Sequence, residues 1–152
     1  MPVCSCRMRS VSSFANVQKI PAVLDAENRH LANPVSTSSI PVAGDIEDTA
    51  TNAAEAATHV RTIVDNTFYI LAIELMHAAQ AVNLRQHAKR CPDPGPTPCL
   101  DLSKGTQALL KAYREQVPFL DKDRIMSTDI QKSYEFLQAQ YKWSKHVFYR
   151  TS

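Results

Sequence analysis

The sequence predicts an all-α fold built on one long central helix with shorter helices around it. Three observations carry this. Between Asp45 and Gln86 there is neither proline nor glycine, apolar residues recur at helical spacing, and no stretch sustains the alternation a strand would need. At 152 residues the chain is in the size range of a single domain.

Met1 to Ser10 lacks periodicity and is expected to be disordered. From Ala15 to Ala32, Val17, Ile20, Leu24 and Leu31 keep helical spacing. Pro21 must kink this helix or fall in its first turn, because it lacks an N–H and clashes with the preceding turn. Asn33 to Gly44 carries Pro34, Pro41 and a run of Ser and Thr, the composition of a connecting loop.

Asp45, Glu47 and Asp48 put negative charge where a helix N-terminus attracts it. The long helix follows, with a bend allowed at Asp65 to Thr67. Val60, Ile63, Val64, Phe68, Leu71, Leu75, Ala78, Ala79 and Val82 form one stripe, yet Ile70, Ile73 and Ala81 lie off it. A helix apolar on both sides must be covered on both. At 1.5 Å per residue it would be roughly 60 Å long, too long for so short a chain to surround, which points to packing against other subunits. Glu74, inside the apolar run, is expected to be a buried, hydrogen-bonded acid.

Pro92, Pro94, Pro96 and Pro98 make Arg90 to Leu102 a loop. Two shorter helices are expected after it, from Leu102 to Val117, stopped by Pro118, and from Thr128 to Tyr141. Lys142 to Ser152 is a basic, aromatic tail.

Composition excludes several functions. A net charge of +2, from 17 basic and 15 acidic side chains, supplies no broad field for nucleic acid or an anionic membrane. Three glycines cannot build a Gly-rich phosphate loop. Phe68 to Val82 is too short for a membrane span, which needs roughly 20 apolar residues. The acid-free, serine-containing first 24 residues resemble a transit peptide only superficially, since a helical pattern resumes by Phe14. Free thiols in a reducing cytoplasm are the expectation for Cys4, Cys6, Cys91 and Cys99, whose spacing matches no common zinc pair. His59 and His77 lie on one helix but about 27 Å apart at 1.5 Å per residue, too far to share a metal. His30, His87 and His146 have no ligand-spaced partner. No metal site is expected, and no nucleophile-elbow glycines support a Ser or Cys hydrolase.

Ordered blocks add a family. AENRHLANPVS (Ala26 to Ser36), DIED (Asp45 to Asp48), ILAIELMHAAQAVNLR (Ile70 to Arg85) and SKGTQALLKAYREQVPFLDKDR (Ser103 to Arg124) together resemble the C-terminal part of the aromatic amino-acid ammonia-lyases, over residues 11–141. That family eliminates ammonia from histidine, phenylalanine or tyrosine. The resemblance implies a partial ammonia-lyase-like helical bundle, homotetrameric assembly in complete relatives, and one site residue. Glu47 stands where histidine ammonia-lyases carry the Glu of a Gln-Glu-Asp-His motif, which binds or deprotonates substrate. Phenylalanine-type enzymes usually have Gln there, so Glu47 favours histidine or a related polar substrate. Ile46 and Thr49 depart from the motif. On residue chemistry alone Glu47 reads as an acid that steadies a helix N-terminus.

Amines leave poorly, and the family activates its substrate with methylidene-imidazolone, an electrophile made by cyclisation of Ala-Ser-Gly. Gly44, Gly95 and Gly105 follow Ala43, Pro94 and Lys104, so no Ser-Gly pair exists and this chain cannot form the group. Tyr69, Tyr113, Tyr134, Tyr141 and Tyr149 match none of the family's catalytic tyrosine motifs and read as packing residues. The expectation is a lyase fragment, from a truncated or split gene, inactive alone. It would take an amino-acid substrate only when complemented by an N-terminal lyase chain, its partner through the long helix. The alternative is a non-catalytic helical oligomerisation module that self-associates through Ile63 to Val82.

Overall fold

The computed structural model describes residues 12–37, 43–44, 52–88 and 102–148. Every regular element among them is helical: α1 (Ser12–Val17), α2 (Lys19–Leu31), a 3-10 turn (Val35–Thr37), α3 (Ala53–Ala88), α4 (Lys104–Gln116) and α5 (Ser127–Phe148). The all-α expectation therefore holds.

Local chemistry explains the boundaries of α2 and α4. Pro21 lies in the first turn of α2, where its missing N–H is no loss, and the helical stretch is broken ahead of it at Gln18. Arg29 and His30 occupy the last turn of α2, where the helix dipole favours cations. Asn33 closes that turn, its backbone N–H and its side-chain amide both donating to the His30 carbonyl, and Pro34 follows. At α4, the Ser103 hydroxyl accepts from the Thr106 N–H at 3.2 Å, an N-cap bond. Val117 leaves the helix in extended conformation (φ −119°, ψ 102°), because the Pro118 ring disfavours helical backbone in the residue before it.

α3 is continuous across Asp65 to Thr67, and its 36 residues begin at Ala53. Asp45, Glu47 and Asp48 lie outside the described residues. α5 continues past Tyr141 to Phe148, into the stretch read from sequence as a tail.

The chain forms two compact units, one of Met1–Gln18 with Leu71–Ser152 and one of Lys19–Ile70. The first has an apolar core in which Tyr113, Val117, Phe136 and Ala79 are buried together. The rings of Tyr113 and Phe136 meet edge to face at 5.4 Å. In the second, α2 buries no residue completely, and His59 and Asn66 of α3 hydrogen-bond to it.

One expectation for α3 is corrected. Glu74 is exposed rather than buried, because the inward face carries Ala72, Ile73, Met76, Ala79 and Gln80 and position 74 is turned away from it. Within this chain only part of the apolar stripe is covered. Ile73, which lay off it, is buried, whereas Val60, Val64 and Leu71 are 59%, 50% and 45% exposed.

Candidate functional site

The entrance to α3 was singled out by Glu47, and Glu47 itself lies outside the described residues. The described start of α3, in the second unit, is held by side chains. Asn52, immediately before α3, has φ 49°, the left-handed region that asparagine tolerates better than most residues. Its amide donates to the Val35 carbonyl at 3.1 Å, joining the start of α3 to the 3-10 turn.

Two turns further, His59 Nδ1 is 3.1 Å from the Leu31 carbonyl, which can only accept, and Nε2 is 3.1 Å from Glu55 Oε1. Asn66, buried in the same face, donates through Nδ2 to Glu27 Oε2 (2.9 Å) and Asn28 Oδ1 (3.0 Å). The block Ala26 to Ser36 is thus tied to α3 at Asn52, His59 and Asn66. These bonds fix where the 32–52 connection leaves and rejoins the helices.

The first unit uses polar groups to brace the α4–α5 connection. The Gln80 amide donates to the Leu120 carbonyl at 2.8 Å and accepts from the Leu120 N–H at 3.1 Å, satisfying both buried backbone groups at once. Arg114 donates from Nε to Asn83 Oδ1 and from Nη1 to the Val117 carbonyl. Burial pushes its guanidinium below the usual range, with Arg124 adding to the effect, and its Nη2 is buried without a hydrogen-bond partner.

Arg124 pairs with the buried Asp129 at 2.7 Å and donates to the Pro118 and Phe119 carbonyls. Ser133 Oγ donates to the Asp129 carbonyl, so the Tyr113 hydroxyl, 2.7 Å away, donates to Ser133. Burial raises the Tyr113 phenol above its usual value, against the lowering effect of that bond.

One cleft opens between α3 and α4. Leu75, Ala78 and Val82 form one wall and Leu109, Leu110 and Tyr113 the other, around about 100 Å³. Small-molecule sites run to roughly 300–1,000 Å³ with a few convergent polar groups. This cleft is too small and too apolar for an amino-acid substrate.

Tyr113 is the packing residue expected of it, and Tyr69 and Tyr134 are half-buried; nothing is described for the side chains of Tyr141 and Tyr149. His77 Nδ1 bonds the Ile73 carbonyl one turn back, with the Phe14 ring edge-on at 4.6 Å. His59 is hydrogen-bonded and His30 exposed. All four cysteines and the side chains of His87 and His146 lie outside what is described. No group of three potential metal ligands occurs among the described residues, and no described helix is long and apolar enough to cross a membrane.

Sequence reasoning passed over Gln80, Asn66, Asn52 and Arg114. The signal for the first two was present: an amide set on the inward face of an apolar helix must find a partner.

Comparisons with known proteins agree with this architecture. Residues 6–115 match the family model described as aromatic amino acid lyase. The chain is 37% identical to the histidine ammonia-lyase of Vibrio cholerae over 84% of its own length and 22% of that protein's. It is 36% identical to the tyrosine ammonia-lyase of Cupriavidus metallidurans, over 78% of the chain and 20% of the relative. Among solved structures, ergothionase from Treponema denticola, an ergothioneine-degrading enzyme, superposes with TM-score 0.68 at 38% identity, covering 82% of this chain and 23% of that one. Histidine ammonia-lyase from Trypanosoma cruzi gives TM-score 0.72 at 25% identity over 86% and 24%. The chain therefore spans about a fifth of the length of the curated relatives it matches.

Proposed function

The chain belongs to the aromatic amino acid lyase family, and from that premise we propose that it is the C-terminal part of a histidine-type ammonia-lyase, contributing Glu47 to an active site completed by another chain. The observation that carries this is Glu47 itself, set among blocks of family sequence within the matched residues 6–115. A carboxylate there suits a polar substrate. It would hold the amino acid or take its β-proton as ammonia departs, the work of a positioned general base.

The chemistry of this chain does not fit the family's electrophile. Gly44 sits in a turn with φ 66° after Ala43, and Gly105 lies within α4 after Lys104; with no Ser-Gly pair there is no tripeptide to cyclise. The electrophile would have to come from outside these 152 residues. The same reading includes a cytoplasmic role in histidine catabolism and tetrameric assembly, as the family resemblance implies.

The test is co-expression of this chain with the part of the Vibrio cholerae enzyme it does not match, followed by urocanate absorbance. Urocanate should form only when both chains are present and should fall at least a hundredfold with Glu47→Gln. No product from the pair, or product indifferent to that change, overturns the proposal. A second reading, a helical assembly module without chemistry, is favoured by the exposure of Val60, Val64 and Leu71 on α3. Association without turnover would support it.

A further inference from the structure

We propose that His59 is a proton-dependent latch, which holds the last turn of α2 on α3 when its ring is charged and loosens that turn when the ring is neutral. The latch lies within one unit, Lys19–Ile70, and does not depend on the lyase reading. Both ring nitrogens face oxygens that accept: the Leu31 carbonyl is 3.1 Å from Nδ1, and Glu55 Oε1 is 3.1 Å from Nε2. A neutral imidazole has one N–H and one lone pair, whereas the imidazolium donates from both nitrogens. Only the charged ring serves both partners.

Each neutral tautomer turns a lone pair toward an acceptor, the Glu55 carboxylate in one and the Leu31 carbonyl in the other. One contact then becomes repulsive. The two partners are also of the kind that bond best to a cation. Glu55 is a carboxylate one turn back on α3, and Leu31 is the last residue of α2, where a helix leaves its carbonyls unpaired and its dipole is negative. Charge-assisted bonds to such groups are about twice as strong as neutral ones. The His59 side chain is 24% exposed, so water does not freely replace either partner.

Among the described residues, the other ionisable groups near this contact are engaged elsewhere or turned to solvent. On α2, Arg29 pairs one turn back with Asp25 at 2.8 Å, Glu27 accepts from Asn66, and the His30 side chain is exposed. The 3-10 turn Val35–Thr37 has no ionisable side chain. Arg61, two residues on from His59, points to the opposite side of α3. The imidazole is thus the group whose charge decides the contact. Since α2 buries no residue completely, its last turn has no core to hold it when that contact weakens. The latch lets pH set how firmly the start of the 32–52 connection is held.

The test is amide hydrogen exchange on the full chain between pH 5 and 8, the range in which imidazole changes charge, with rates corrected for the intrinsic pH dependence of exchange. The reporters are the Ala32 and Asn33 amides, bonded to the Asn28 and His30 carbonyls. Their protection should be at least threefold greater at pH 5 than at pH 8, because the second bond is present below the imidazole range and is lost as pH rises through it. Protection of the Val117 amide, bonded to Tyr113 in the other unit, should stay level.

His59→Gln, which carries a donor at every pH, should abolish the dependence, and Glu55→Gln should reduce it. His30→Gln should leave it intact. The proposal is overturned by wild-type protection that is absent or flat with pH, by a dependence that survives His59→Gln, or by one that His30→Gln removes. Should His59→Gln lose helix by circular dichroism, the exposed Glu55→Gln decides, and an undiminished dependence there overturns the latch. None of these readouts is turnover, so a failure of the lyase reading leaves the latch standing.

Discussion

One uninterrupted helix passes through two differently built neighbourhoods. Over residues 71–88, α3 buries Ala72, Ile73, Met76 and Ala79, and its unit owns a core of aromatic and aliphatic side chains. Over residues 53–70 it buries Asn66 alone among the described residues, hydrogen-bonds to α2 through His59 and Asn66, and leaves Val60 and Val64 exposed. The first arrangement stabilises by removing apolar surface from water, at roughly 25 cal/mol per Å². The second orients: a hydrogen bond between partly exposed groups contributes about 1 kcal/mol net, because water competes for both partners. Each unit leaves apolar surface uncovered within this chain, Ile20, Val23, Val60 and Val64 in the polar one and Leu71, Leu109 and Ile125 in the cored one.

Gln80→Leu should be the sharpest break in the cored unit. It strands the Leu120 N–H and carbonyl in an apolar setting, at about 1–3 kcal/mol each. A fall in the urea midpoint at unchanged slope measures it, and a loss below about 1 kcal/mol would show that the clamp is dispensable.

Tyr113→Phe is expected to cost about 1 kcal/mol at neutral pH, the worth of one buried hydrogen bond. It also carries a pH signature. Burial holds the folded phenol above its ordinary 10.0, so above that pH the unfolded chain loses its proton before the folded chain does. That contribution is intact below pH 10 and is lost as pH rises through the raised value. Wild type should therefore lose stability in that range more steeply than Tyr113→Phe. Parallel curves would place the titration elsewhere.

Asn66→Leu should have the smallest effect, under about 1 kcal/mol, since Glu27 is exposed and Asn28 half-buried and both can turn to water. Its consequence should instead be positional, a loss of amide protection at the C-terminal turn of α2 by hydrogen exchange. A large drop in global stability would mean that the polar unit is cored after all, and the contrast between the two halves of α3 would fail.

Periodicity and punctuation made most of the helices legible. Pro118 marked the end of α4, because proline acts on the backbone wherever it stands, while the prolines after Arg90 lie outside the described residues. Which side of α3 would be covered was not legible. The stripe through Val60, Val64 and Leu71 and the face through Ile73 and Met76 are both apolar, and periodicity cannot rank two apolar faces. The partners of Gln80 and Arg114 were not legible either, because the Leu120 backbone and Asn83 lie 40 and 31 residues away in the chain.

By itself, the sequence determined the helical class, the breaks between helices, the family and the impossibility of making the electrophile from these glycines. All of these depend on residue identity and short-range order along the chain. Tertiary structure alone decided that Glu74 faces outward, that an amide and two arginines brace the α4–α5 connection, and that α3 and α4 part to leave an apolar cleft. Burial and pairing are properties of side chains brought together from distant positions, and no local pattern specifies which of them meet.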